Sequence, residues 1–188
     1  MPAATGPKYK VPLKRRRKYL TNYRKRIALL KSGIPRLVVR KSNRSIIAQI
    51  IVPGKIGDIT ICSANSNELK KLGWPSRANL PTSYLVGMLC GMKAKKKEIK
   101  NAIVDAGLSK GDYIFAAANG AKNFIEIKTK EVDERRIRGE HIANYFKMLS
   151  EEERVKKFGD YIKNKIDVER LPEIFESIKE KIIESGRG

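Results

Sequence analysis

Residues 36–64 read RLVVRKSNRSIIAQIIVPGKIGDITICSA, and this stretch decides the fold. Its first six residues are β-branched in the middle and basic at both ends, which predicts a short strand. Ser42, Asn43 and Arg44 make a turn. Residues 45–52, SIIAQIIV, are almost wholly apolar, as in a strand covered on both faces. Pro53-Gly54-Lys55-Ile56-Gly57-Asp58 has turn chemistry, and residues 59–64 supply a third strand. Connections this short join antiparallel neighbours, so the stretch predicts a three-stranded meander.

Toward the C-terminus the pattern turns helical. Residues 65–73 predict a short helix capped by Ser66 or Asn67. After a loop over 74–79, residues 81–97 predict an apolar helix that ends in a lysine run, where cations complement the helix dipole. Gly87 and Gly91 within it would let the helix lie close on the sheet. Residues 101–105, NAIVD, follow a helix and so predict a strand parallel to its predecessor. Asp112 would cap an alanine-rich helix over 113–122, and residues 124–128 would form a short last strand. Further helices are expected over 140–149, after the capping signal at Ser150, and from Pro172, where Ile174, Phe175, Ile178 and Ile182 recur at helical spacing. The expected class is α/β. A mixed sheet of three antiparallel strands plus one or two parallel strands carries packed helices, a basic N-terminal arm (1–16) and a helical C-terminal extension (150–188). Residues 17–149 would form the α/β domain between them.

Toward the N-terminus the charge becomes one-sided. Sixteen Lys and Arg precede Asp58, the first acidic residue. Like charges at this density repel in the compact state, and a polyanion relieves that cost. Tyr9, Tyr19 and Tyr23 in the same stretch add rings on which bases can stack. Residues 1–13 predict an extended arm. A helix over 17–31 follows, gripping the domain through Tyr19, Tyr23, Ile27 and Leu30 and closed by Gly33 and Pro35. Of the net charge of +21, little comes from elsewhere. Residues 56–149 hold sixteen basic against ten acidic side chains, and residues 150–188 nine against ten. One end of the chain therefore faces nucleic acid.

Other chemistry finds no footing. Cys62 and Cys90 lie on apolar stretches without metal-ligand spacing, so both read as small hydrophobes in a reducing, cytosolic setting. His141 is the single histidine, and no phosphate-cradling glycine motif or nucleophile elbow occurs. Asp58, Asp105 and Asp112 could form a two-metal nuclease site only by converging, and turn and cap roles account for Asp58 and Asp112. No catalytic residue, metal, cofactor, small-molecule substrate or membrane segment is expected. A general DNA- or RNA-binding module remains the rival reading on electrostatics alone.

The segments KYKVPLKRRRKYLTNYRKRIALLKSGIPRLVVRKSNRSIIAQIIV, GDITICSANSNEL, YLVGMLCGMKAKK, AIVDAGL and DERRIRGEHIANY occur in this order over about residues 6–147. Together they resemble the archaeal and eukaryotic form of the 5S-rRNA-binding proteins of the large ribosomal subunit, universal family eighteen. The stretch GLSKGDYIFAAANGAKNFIEIK departs in detail from the wording of that family. The resemblance implies a non-catalytic scaffold in the cytoplasmic ribosome. It would attach 5S rRNA to the central protuberance, contacting large-subunit rRNA and neighbouring large-subunit ribosomal proteins. By position, the resemblance implies RNA contacts from Lys8, Tyr9, Lys10, Lys14, Arg15, Arg16 and Arg17 in the arm. It adds Asn22, Tyr23, Arg24 and Arg26 in the helix, Arg36, Arg40, Ser42, Asn43 and Arg44 in the first hairpin, and Ser63, Asn65 and Ser66 after the third strand.

Overall fold

A computed structural model describes residues 6–7, 9–75, 77–109 and 111–186. The meander forms as the sequence predicts: β1 (Arg36–Lys41), β2 (Ile46–Pro53) and β3 (Asp58–Asn65) pair antiparallel. A bulge on β3 lets Ile50 face Cys62 and Ile51 face Thr60, leaving Ile61 as the extra residue. β4 (Asn101–Asp105) runs parallel, as expected, but its neighbour is β1 rather than the strand before it. β5 (Glu126–Ile127) adds to β4, giving the order β3-β2-β1-β4-β5. The three antiparallel strands with parallel additions are thus present.

One face of the sheet is the core. Leu37, Val39, Ile46, Ala48, Ile50, Cys62 and Ala64 point into it and are buried. Helix α3 (Leu80–Lys95), opened by the Asn79 cap with Pro81 in its first turn, covers that face together with α4 (Asp112–Ala121). The glycines of α3 serve α4 rather than the sheet. A Cβ on Gly87 would fall inside the Ala117 carbonyl, and one on Gly91 would stand 2.8 Å from the Ala121 carbonyl oxygen. Gly120 of α4 meets the Tyr84 carbonyl equally closely. The two backbones touch, which only residues without side chains permit.

Four further helices follow: α5 (Glu134–Arg138), which the sequence reading missed, α6 (Glu140–Lys147), α7 (Glu151–Lys163) and α8 (Leu171–Ser185). Phe175, Ile178 and Ile182 of α8 are buried in the same core as Leu85 and Met88 of α3. Phe175 packs edge-on to Trp74 at 6.0 Å and against Tyr84 at 5.6 Å, while the Trp74 Nε1–H donates to Thr82 Oγ1 at 2.8 Å. The C-terminal helix is therefore a wall of the core. Two cap assignments shift. Asn65, not Ser66 or Asn67, caps the 3₁₀ helix Ser66–Leu72, exchanging a capping box with Glu68. Gly111 precedes α4, and Asp112 is its first residue. Ser150 caps α7 as expected.

Candidate nucleic-acid interface

The opposite face of the sheet is open, and the basic N-terminal segment lies across it. Lys14–Arg17 form a single helical turn, α1, and Tyr23–Lys31 form α2; neither buries a residue. The predicted single helix over 17–31 is thus split. Tyr19 has a left-handed backbone (φ 52°), which a continuing helix forbids, and Asn22 starts α2 by accepting the Lys25 N–H at 3.1 Å. The Arg15 Nε–H donates to Thr21 Oγ1 at 2.8 Å, folding the turn back on itself. The expected apolar stripe does not grip the domain. Tyr19 is 86% exposed and Ile27 51% exposed. Arg26 does the anchoring instead.

Arg26 belongs to a four-member charge chain. Its guanidinium is 2.9 Å from Asp58 Oδ2, and the other oxygen of Asp58 is 2.8 Å from Arg36 Nη2. Arg36 Nη1 in turn donates to Asp105 Oδ2 at 2.7 Å. Arg36 is only 1% exposed, so its charge is spent inside the protein. Burial alone would weaken its hold on the proton, but its hydrogen bonds to both carboxylates prevail and raise its pKa. Burial likewise opposes ionisation of Asp58, yet the bonds from Arg36 and Arg26 hold its carboxyl below the ordinary value. Arg36 is accordingly withdrawn from the set of RNA-facing residues. Two of the three aspartates weighed as a metal site do converge, but on a guanidinium; Asp112 instead lies 3.6 Å from Arg136. Among the described residues no three metal-ligating side chains group together.

The hairpin keeps its cations outward. Arg36, Val38 and Arg40 share the open face of β1, but Arg40 is exposed, as are Lys41, Asn43 and Arg44. Ser42 is committed to the turn: it donates its N–H to the Ser45 carbonyl at 2.8 Å, and its hydroxyl accepts the Ser45 N–H at 3.0 Å. That clasp presents Asn43 and Arg44 at a fixed tip. Ser63 and Asn65, which lie within the end of β3 rather than after it, and Ser66 just beyond are equally committed. The Ser66 hydroxyl is buried and accepts the Ile46 N–H at 3.2 Å, Asn65 caps the 3₁₀ helix, and the Ser63 carbonyl accepts from Lys93 at 2.8 Å. Of these three only Ser63 is exposed. Ser66 is fully covered and cannot reach a partner.

Between α2, β1 and the loop after β4 runs a groove of about 500 Å³. Arg15, Lys25, Arg40 and Lys41 line it with Val38, Ile51, Leu108 and Tyr113, as do Asp58 and Asp105 with their partners Arg26 and Arg36. The Lys41 ammonium stands 5.8 Å from the Tyr113 ring centre, and the Tyr113 hydroxyl is 2.8 Å from that of Ser109. A second recess of about 340 Å³, walled by Arg16, Tyr19, Tyr23 and Arg24, shares Thr21, Asn22 and Leu108 with the first. Tyr9, Lys10, Lys14, Arg16 and Arg17 are exposed around this face; Lys8 lies outside the described residues. Lys25, Lys41 and Tyr113 were not among the sequence-derived contact residues, and Tyr19 entered only as a ring on which bases can stack. Tyr113 had no sequence signal at all, since only the fold brings residue 113 beside residue 41. No helix among the described residues is long and apolar enough to cross a membrane.

Comparison with known proteins bears on this surface. The family model for "Ribosomal large subunit proteins 60S L5, and 50S L18" matches residues 7–124. The chain is also 48% identical to "Large ribosomal subunit protein uL18" of Thermofilum pendens, over 97% of this chain and 98% of that relative. A likeness of that extent covers the interface, the core and the C-terminal helices alike. The chain belongs to the family of ribosomal large-subunit proteins 60S L5 and 50S L18, structural and non-enzymatic constituents of the large subunit.

Proposed function

We propose that this chain binds 5S rRNA and attaches it to the central protuberance, meeting large-subunit rRNA and neighbouring ribosomal proteins on its other surfaces. One observation carries the reading: exposed cations of α1, α2 and the β1–β2 hairpin surround a single groove on the open face of the sheet. The nearby carboxylates, Asp58 and Asp105, are already matched to arginines and do not cancel that field. Lys and Arg would neutralise phosphates and set the strength of binding, with arm residues 1–16 adding to it. Asn43 at the clasped tip, with the tyrosines beside α2, would read exposed bases and 2′-hydroxyls. A tip ordered before binding loses less entropy than an arm does, so discrimination belongs to the hairpin.

The test is titration of the chain with 5S rRNA and with duplex DNA of equal length at several salt concentrations. For roughly 6–10 phosphate contacts, affinity for 5S rRNA falls by about 10³–10⁵ between 50 and 200 mM salt. Equal affinity for the DNA, or a flat salt profile, overturns the proposal.

A further inference from the structure

We infer that the groove between α2, β1 and the loop after β4 receives one unstacked base of the bound RNA, with its phosphate held at the rim. The inference rests on the 5S rRNA reading and adds the kind of RNA feature the groove takes. The capacity fits, because about 500 Å³ lies within the roughly 300–1,000 Å³ of small-molecule sites. The charge distribution then divides a nucleotide in two. Lys25, Arg40 and Lys41 are exposed at the rim and suit a phosphate. Deeper in, the groove offers a phosphate no free cation: the apolar Val38 and Ile51 adjoin Asp58 and Asp105, whose charges Arg26 and Arg36 already match. A neutral, flat group with amino edges satisfies that surface, and a nucleobase is such a group.

Asp105 supplies the acceptor. One of its oxygens takes the Arg36 guanidinium at 2.7 Å and the other the Gly107 N–H at 3.1 Å, which leaves each a second lone pair. The bonds from Arg36 and Gly107 fix the carboxylate's orientation, and its side chain is still 16% exposed toward the groove. Double-stranded RNA cannot reach this depth, since its bases are enclosed by two backbones. A nucleotide from a loop or bulge can. The adjoining recess with Tyr19 and Tyr23 gives the neighbouring nucleotide a surface on which to stack.

The experiment probes 5S rRNA, free and bound to the full chain, with dimethyl sulfate for unpaired adenine and cytosine and with kethoxal for unpaired guanine. The wild-type chain protects an unpaired nucleotide. Val38→Trp, which fills the groove, loses that protection and weakens binding roughly tenfold, while the salt slope stays unchanged because the rim cations remain. Leu108→Trp fills the groove from an exposed loop position and replaces the first variant if thermal melting shows that Val38→Trp does not fold. Protection that persists in a folded, groove-filled variant overturns the inference and leaves the 5S rRNA reading intact. Failure of the wild-type chain to bind 5S rRNA at all removes both.

Discussion

Helices α2 and α3 obey the same local rules and have opposite fates. Both open on an asparagine cap. In α3, eleven of sixteen residues are buried, and its glycines press its backbone onto α4. In α2 none of the nine residues is buried, and the ion pair from Arg26 to Asp58 ties it to the sheet. The difference teaches how this protein separates stability from recognition. Apolar burial places α3 and leaves it little to offer a partner. A cap and a charge chain place α2, and its remaining cations stay free in solvent.

The comparison can be broken most forcefully from the core side. Phe175→Ala removes a ring buried between Trp74 and Tyr84 and is expected to cost about 3–5 kcal/mol, read by denaturant or thermal unfolding. A near-neutral result would mean that α8 is an appendage after all and not a wall of the core. Gly120→Ala comes next. Its Cβ would overlap the Tyr84 carbonyl, and forcing α3 and α4 apart is expected to cost about 1–3 kcal/mol. Unchanged stability there would show that the glycines are not what seats α4.

On the other side of the comparison the effects on stability shrink and the effects on binding grow. Asp58→Asn frees Arg26 and should raise hydrogen exchange in α2 while leaving α3 protected. The wild-type chain should behave likewise in acid. A carboxyl whose folded pKa is depressed contributes stability that is present above its unfolded value and lost as pH falls through the folded one. Loosening of α2 is therefore expected only below about pH 4. Loosening already at neutral pH, or equal exposure of both helices, would mean that Asp58 does not hold α2. The smallest expected change in stability, within about 0.5 kcal/mol, belongs to the triple substitution Arg16→Ala, Arg24→Ala and Arg44→Ala. All three side chains are exposed. The same variant should lower the salt slope of RNA binding by about 0.7–0.9 per lost phosphate contact. A large fall in melting temperature would overturn the separation of the two roles.

Much of the fold was legible in residues 36–64, because a strand's evidence is local. Alternation, β-branching and turn residues all sit within a few positions of one another, and β1 lies where the sequence puts it. The break at Tyr19 was less legible. The spacing of Tyr19, Tyr23, Ile27 and Leu30 suits a helix, and nothing local says that the chain reverses at Thr21 toward Arg15. The site was legible in its charge and not in its membership. Arg36 and Arg40 sit on one face of one strand, in the same basic run, and one-dimensional reading gave them the same role.

By itself, the sequence determined the meander, the core-forming helices and the sign of the partner's charge, since these follow from composition and short-range pattern. Only the tertiary structure decided which cations remain for that partner. A charge is spent or free according to what stands opposite it in space, and Asp105, which takes up Arg36, is 69 residues away along the chain. Arg40 meets no such carboxylate within salt-bridge reach among the described residues, so its guanidinium stays at the mouth of the groove.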